Sequence, residues 1–451
     1  MPSRTQNETT PKSDARPALD AAAVRAKQKE FLFPSCANYY QEPVVLTEGK
    51  GTRVVDLDGR EFLDFFGGIL TLSVGHCHPK VNAALKAQID RLGHVSSLYP
   101  SVPVVELAET LARITPGKLK KTYFVASGTE ADETAVTLAQ VFTGALEIIA
   151  LRHGYSGRSA MAQSLTGHST WRPLPSQIAG VRHAMAPYCY RCPLGLKYPD
   201  CGVKCAQDIG DLIQTTTTGK IAGFLAEPIL GVGGFITPPP EYFQIAVDIV
   251  RKAGGVFLCD EVQTGFGRTG KHMFGIGHWG VEPDVMTMAK GIANGMPIAA
   301  CIATSEIADS FKKLQISTFG GNPLSCAAAN ATIGIIEEER LAENAEVQGK
   351  RLREGLEEIQ RRFPKSVGEV RGKGLMQAIE VVVDEKGGDR TPDPQKTARL
   401  FEETKKRGLL IGKGGLYGNV FRIAPALNVQ STDVDDALAI LRESFASEAR
   451  G

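Results

Sequence analysis

The sequence predicts an α/β protein: a mostly parallel, doubly wound sheet with helices on both faces, followed by a smaller α+β lobe. Three observations lead there. From about residue 80, short apolar runs alternate with stretches of helical periodicity. Two of those runs end in chemistry: Val256-Phe257-Leu258-Cys259 delivers Asp260 and Glu261, and residues 285–288 deliver Lys290-Gly291. Near residue 327 the pattern changes to long charged helices interleaved with strands. Ligands of open α/β sheets lie at the carboxyl ends of the strands, so Asp260 and Lys290 are expected to face one site.

The elements follow in order. The first twenty or so residues are polar, with no apolar stretch long enough for a secretory signal, and read as a disordered tail over 1–22. Strand patterns at 44–46 and 53–57 precede the turn Asp58-Gly59. Helix 81–92, strand 121–125, helix 131–142 and strand 148–151 come next. Strands at 223–227 and 256–259 flank a helix at 242–253. In the second unit, helix 341–363 leads to strands 367–370 and 375–383, and the Gly-, Asp- and Pro-rich stretch 384–394 reads as a surface loop. Helix 397–407, strands 409–411 and 420–423, and a last helix from Thr432 complete the lobe. There is no internal repeat.

Composition narrows the function. The 451 residues are 43% apolar, enough for a large core or two domains, and the net charge is +1. That balance makes no electrostatic case for nucleic acid or an anionic membrane. No apolar run is long enough to cross a bilayer. Glu8, Asp14 and Asp20 offset the basic residues of the tail and argue against an organellar address, so a cytoplasmic location is expected. Four of the nine cysteines, Cys189, Cys192, Cys201 and Cys205, share one loop. Their spacing is shorter than in zinc ribbons, and Pro193, Pro199 and Gly202 mark an irregular loop, so no metal is expected there.

An acid and a lysine at neighbouring strand ends suit pyridoxal phosphate. That cofactor needs an amine to form a Schiff base with its aldehyde and a carboxylate to keep its ring nitrogen protonated. Glycine spacing offers no dinucleotide fingerprint. The block Asp260-Glu261-Val262-Gln263-Thr264-Gly265-Phe266-Gly267-Arg268-Thr269-Gly270, with Lys290 after it, resembles the signature of the class III (omega) aminotransferases. The likeness runs from about Tyr39 to Leu441 and is nearest to the alanine–glyoxylate and beta-alanine–pyruvate type. It implies fold type I, with residues 23–75 joining 327–451 as a small domain beside a large domain at 76–326. A cysteine-bearing insertion also accompanies this type.

The resemblance assigns roles. Lys290 is the Schiff-base lysine and proton shuttle, in a cationic neighbourhood expected to lower its pKa, and Asp260 the partner of the ring nitrogen. Ser127-Gly128-Thr129 opens a helix after a strand, which suits a phosphate as well as a plain N-cap. Tyr155 matches an aromatic that stacks on the ring, although Ser156 stands where histidine is frequent. Val262 would cover the other ring face, Gln263 would reach the phenolic oxygen, and Glu227 would support the site. Ser317 to Pro323 resembles a segment that enters a partner subunit's site, with Thr318 donating to its phosphate, which implies a homodimer or a dimer of dimers. Arg422 matches the arginine that binds the substrate carboxylate. Tyr39, Tyr40 and Phe66 are expected on the substrate side.

In the ornithine and 4-aminobutyrate type a glutamate that covers that arginine stands where Val232 stands here. Arg422 is therefore expected to stay available for pyruvate or glyoxylate, with alanine, beta-alanine or another omega-amine as donor, in a ping-pong cycle. The alternatives are an ornithine/4-aminobutyrate-type enzyme using 2-oxoglutarate and a same-fold aminomutase or decarboxylase.

Overall fold

The computed structural model describes residues 19–36, 38–175 and 178–450. Most of the expected tail lies outside the described residues. Its expected end at 22 moves back, because helix Ala21–Phe31 begins with Asp20 as N-cap, whose carboxylate accepts from the Ala23 amide at 2.7 Å.

A seven-stranded sheet forms the centre, in the spatial order Leu119–Val125, Ala299–Thr304, Val285–Met288, Val256–Asp260, Gly223–Ala226, Ile148–Leu151, Val181–Ala184. Ala299–Thr304 runs antiparallel to both neighbours, and the other strands run parallel to one another. Four of the strands are buried at every position, as expected where helices cover both faces. Side-chain alternation sorts the two faces. Leu225, Leu258 and Val285 pack with Ala135 and Val136 of helix Gly128–Thr143, while Phe224, Phe257 and Met286 pack with Ile209 and Phe243 on the opposite side. By the same alternation Asp260 and Thr287, two residues beyond Leu258 and Val285, lie on the face of helix Gly128–Thr143.

The second lobe is an antiparallel sheet in the order Val367–Lys373, Met376–Asp384, Val420–Ile423, Gly412–Gly414. Helices Leu341–Arg362, Pro394–Lys406 and Ser431–Glu448 cover it. The expected loop at 384–394 contains a strand, Asp389–Pro392, that pairs back on Met376–Asp384. The amino-terminal strands Leu46–Lys50, Arg53–Asp56 and Glu61–Asp64 form a meander whose last member pairs in parallel with Leu409–Leu410. Helix Pro323–Glu338 runs unbroken through residue 327. Asn322 caps it, and it packs on helices Pro79–Arg91 and Val102–Ile114 of the first unit. Among the described residues no helix is long and apolar enough to cross a membrane.

Candidate active site

The carboxyl ends of the central strands open into a cavity of about 400 Å³. Tyr39, Ser127, Gly128, Thr129, Tyr155, Asp260, Val262, Gln263, Lys290 and Arg422 line it together. Asp260 is the last residue of its strand, and its Oδ1 accepts from the Val262 amide at 2.9 Å. Lys290 follows its strand in a short 3₁₀ turn, held at φ 45°, a conformation rare for a residue with a Cβ. Burial lowers the pKa of Lys290. The Asp260 and Glu227 carboxylates pull the other way, and Arg422 adds a smaller lowering. The expected cationic neighbourhood is thus the lesser cause and desolvation the greater.

Burial raises Asp260 to about 6, against the Val262 hydrogen bond and the Lys290 charge. Glu227 does not line this cavity. It sits behind Tyr155, its two oxygens accepting from the Tyr155 amide at 3.0 Å and the Gly231 amide at 2.8 Å. Burial and the Asp260 charge push it up to about 8. One buried acid therefore pins both the aromatic loop and the loop carrying Val232.

Ser127 is the N-cap of helix Gly128–Thr143. Its hydroxyl accepts from the Glu130 amide at 3.3 Å and donates to Glu130 Oε2 at 3.1 Å, while the Ala126 amide donates to the same oxygen at 2.9 Å. The phosphate and N-cap readings of this segment thus divide: Ser127 caps, while Gly128 and Thr129 bring the first-turn amides, which lack intrahelical acceptors, to the cavity wall. The fit around Gly128 is close, since a Cβ there would touch the Val262 methyls at 3.4 Å. Gly157, at φ 129°, is closer still: a Cβ would fall 2.1 Å from Thr129 Oγ1.

Arg422, 3% exposed, forms the far wall. Its Nη2 donates to the Tyr39 hydroxyl and the Lys413 carbonyl, each at 3.1 Å, and Nη1 to the Gly231 carbonyl at 3.5 Å. The guanidinium lies 4.8 Å over the Phe66 ring. Among the described residues no carboxylate pairs with it, and its Nε is buried without a partner. Val232, next to Gly231, lines the same cavity.

Besides Glu227, three expected site residues stand outside the cavity lining. Phe66 is buried behind Arg422 and backs the guanidinium instead of lining the cavity. Tyr40 stacks on Phe401 with ring centres 4.5 Å apart, in the core between the amino-terminal strands and the second lobe. Apolar burial there outweighs a place at the site. Thr318 is exposed in a segment where Leu314 is 99% and Phe319 64% exposed, away from this chain's own cavity. Among the lining residues that the sequence reading did not assign to the site, two carry chemistry. Trp171 stands edge-on to Tyr155 at 5.7 Å. Asp132 is a buried acid whose signal was its place on the apolar face of its helix, between Ala131 and Ala135.

The four loop cysteines are free thiols around one small cavity, and among the described residues no group of three or more His, Cys, Asp or Glu is arranged to hold a metal. The loop ties instead to the second lobe, where Tyr188 and Arg191 both reach Glu380.

These residues fit pyridoxal phosphate: first-turn amides for a phosphate, Tyr155 and Val262 on the cavity wall, and a buried Gln263 Oε1 without a partner among the described residues. The family model for aminotransferase class III matches residues 35–445. The chain is 43% identical over 427 residues to alanine–glyoxylate aminotransferase 2 homolog 2, mitochondrial, of Arabidopsis thaliana, covering 94% of this chain and 87% of that protein. It is 39% identical to the human alanine–glyoxylate aminotransferase 2, mitochondrial, over 92% of this chain and 85% of that one. A PLP-bound amine transaminase from an uncultivated Pseudomonas species superposes with a TM-score of 0.85 at 31% identity, covering 92% of this chain and 97% of that one. The chain belongs to the class III aminotransferases, enzymes of fold type I that use pyridoxal phosphate to move an amino group from a donor to a keto acid.

Proposed function

We propose that this enzyme transfers the amino group of alanine, beta-alanine or another omega-amine to pyruvate or glyoxylate in a ping-pong cycle. The observation that carries the reading is Arg422: a buried guanidinium facing the cavity with no carboxylate partner among the described residues and Val232 beside it. Such a fork is open to a small carboxylate, and among the described residues no acid covers it. The names of the plant and human relatives support the same acceptor class. A 4-aminobutyrate-type relative at 35% identity keeps the 2-oxoglutarate reading as the comparison to exclude.

The roles follow from position. When bound, the cofactor supplies an electron sink for the substrate's alpha carbon. Lys290 is the amine that anchors it and, once free, the base that moves the alpha proton, a task that needs the neutral form favoured by burial. Asp260 would partner the ring nitrogen and keep it protonated. Thr129 and the Gly128 amide would hold the phosphate, with Ser127 fixing the helix start, and Tyr155 and Val262 would pack against the ring. Gln263 would reach the phenolic oxygen. Glu227 holds Tyr155 and the Gly231 loop in place. Tyr39 orients Arg422 through the 3.1 Å hydrogen bond.

The exposed apolar segment around Thr318 supports a homodimer in which Thr318 completes the partner's phosphate site. Sedimentation of the holoenzyme with Thr318→Ala and Phe319→Asp variants tests it. The pairing of Glu61–Asp64 with Leu409–Leu410 supports joining residues 23–75 to the lobe expected at 327–451, while helix Pro323–Glu338, packed on Pro79–Arg91 and Val102–Ile114, supports a start for that lobe after 338. The acids of the amino-terminal stretch support a cytoplasmic location, whereas the plant and human relatives are named mitochondrial. Cell fractionation decides between them.

The test of function is a half-reaction. L-Alanine added without an acceptor bleaches the visible band of the bound cofactor, and glyoxylate or pyruvate restores it. A band restored by 2-oxoglutarate alone would reject the acceptor class.

A further inference from the structure

Asp132 is a carboxylate without a function in the scheme above. It is 1% exposed, lies one turn below the phosphate-facing Gly128, and lines the same cavity as Asp260 and Lys290. Thr287 Oγ1 donates to its Oδ1 at 2.7 Å. Thr287 is the residue paired with Asp260 across the parallel ladder, so the two project from the same sheet face toward helix Gly128–Thr143. Among the described residues no cation pairs with Asp132. The titratable groups around it are Asp260 and Glu227, Lys290, and the Cys301 thiol of the strand beyond, with the Ser156 hydroxyl alongside.

Two buried carboxylates that feel each other's charge do not both ionise cheaply. The charge belongs on the acid that meets a cation, and Asp260 feels Lys290 and, in the holoenzyme, the cofactor ring. Asp132 meets the Thr287 and Ser156 hydroxyls and other acids, and it acts on Lys290 more weakly than Asp260 and Glu227 do. Burial first, and the Asp260 charge second, hold its carboxyl protonated well above the ordinary carboxylate range. Resting on the active-site reading above, we propose that Asp132 is a positioning residue for amino transfer. Held by Thr287 as a neutral acid, it fixes the sheet face beside Asp260 and leaves Asp260 as the one negative charge for the cofactor ring.

The test combines infrared difference spectra of the full-length protein, with and without cofactor, and kinetics of two variants. The spectrum of the wild type minus Asp132→Asn at neutral pH is expected to contain the carbonyl stretch of a protonated carboxyl group. Only carboxylate bands would overturn the proposal. Because this readout is available without cofactor, it stands even where the amino-transfer reading fails. Asp132→Ala is expected to lower kcat about tenfold with KM for the donor little changed, and to shift the pH titration of the visible band; Asp132→Asn recovers most of both losses. An Ala variant with an unshifted titration, or an Asn variant as impaired as Ala, would show that neither the hydrogen bond nor the neutral acid matters. Asn is near in size to Asp, and its retained thermal unfolding transition separates a local effect from misfolding.

Discussion

Placing a glutamate at Val232 is the sharpest way to ask whether Arg422 binds the acceptor's carboxylate. Val232 follows Gly231, whose carbonyl already accepts from Arg422 Nη1, and a cavity of about 400 Å³ leaves room for the longer side chain. A carboxylate brought to ~4 Å of the guanidinium would gain roughly 4 kcal/mol at an effective dielectric of about 20. Desolvating that carboxylate costs part of the gain. A substrate that must displace it then loses about 1.5–3 kcal/mol, the range for a hydrogen bond to a charged group. The expected result for Val232→Glu is a fall in kcat/KM for pyruvate and glyoxylate of roughly 10- to 100-fold. An amine donor that carries no carboxylate should be spared, because it never needs the guanidinium. Separate half-reactions, followed by the cofactor's visible band, give the two values independently. Val232→Gln controls for size, since it fills the same space without the charge. Equal losses for both half-reactions, or a Gln variant as poor as Glu, would refute the argument and leave Arg422 as a structural arginine.

The other expectations are quickly stated. Lys290→Ala removes the amine and should abolish transfer together with the visible band of the bound cofactor, read in one absorbance spectrum. Gly157→Ala forces a Cβ to within 2.1 Å of Thr129 Oγ1 on a backbone at φ 129°, so cofactor affinity should fall at least tenfold by fluorescence titration while the fold survives. Glu227 and Asp260 have raised pKa values, about 8 and about 6, so the folded cofactor-free protein binds more protons than the unfolded chain. Its stability should therefore fall as pH rises from the ordinary carboxylate range through about 8, by on the order of several kcal/mol, a slope read by thermal unfolding across that window. Bound cofactor should flatten the part due to Asp260, because the ring cation favours its ionised form.

Much of this architecture was written in local pattern, and the exceptions share a physical cause. Strands Ile148–Leu151 and Val285–Met288 are visible because a strand covered on both faces must be apolar throughout. Asp260 and Lys290 are visible because each interrupts such a run at its carboxyl end. Strand Val181–Ala184 sits at the sheet edge and reads Val-Arg-His-Ala, so no apolar run announces it. Ala299–Thr304 is built from small residues whose pairing depends on two distant strands, a relation that no window of sequence contains. Tyr40 misled for the same reason: a tyrosine near a site looks the same whether it faces the ligand or stacks on Phe401, 361 residues away.

Asp132 shows the limit most clearly. An acid on the apolar face of a helix is a conflict between local pattern and burial, and such conflicts persist where a site needs them. Its partner Thr287 comes from a strand far along the chain, and its charge state depends on Asp260 from a third segment. Sequence could flag the conflict but not supply the partners that resolve it. The same holds for Arg422, whose meaning comes less from its contacts than from having no carboxylate partner among the described residues. That is why replacing Val232, which touches no substrate in this reading, tests the site more directly than removing the arginine. Loss of a buried arginine disturbs Tyr39, Lys413 and Gly231 together, whereas an added glutamate competes for one charge.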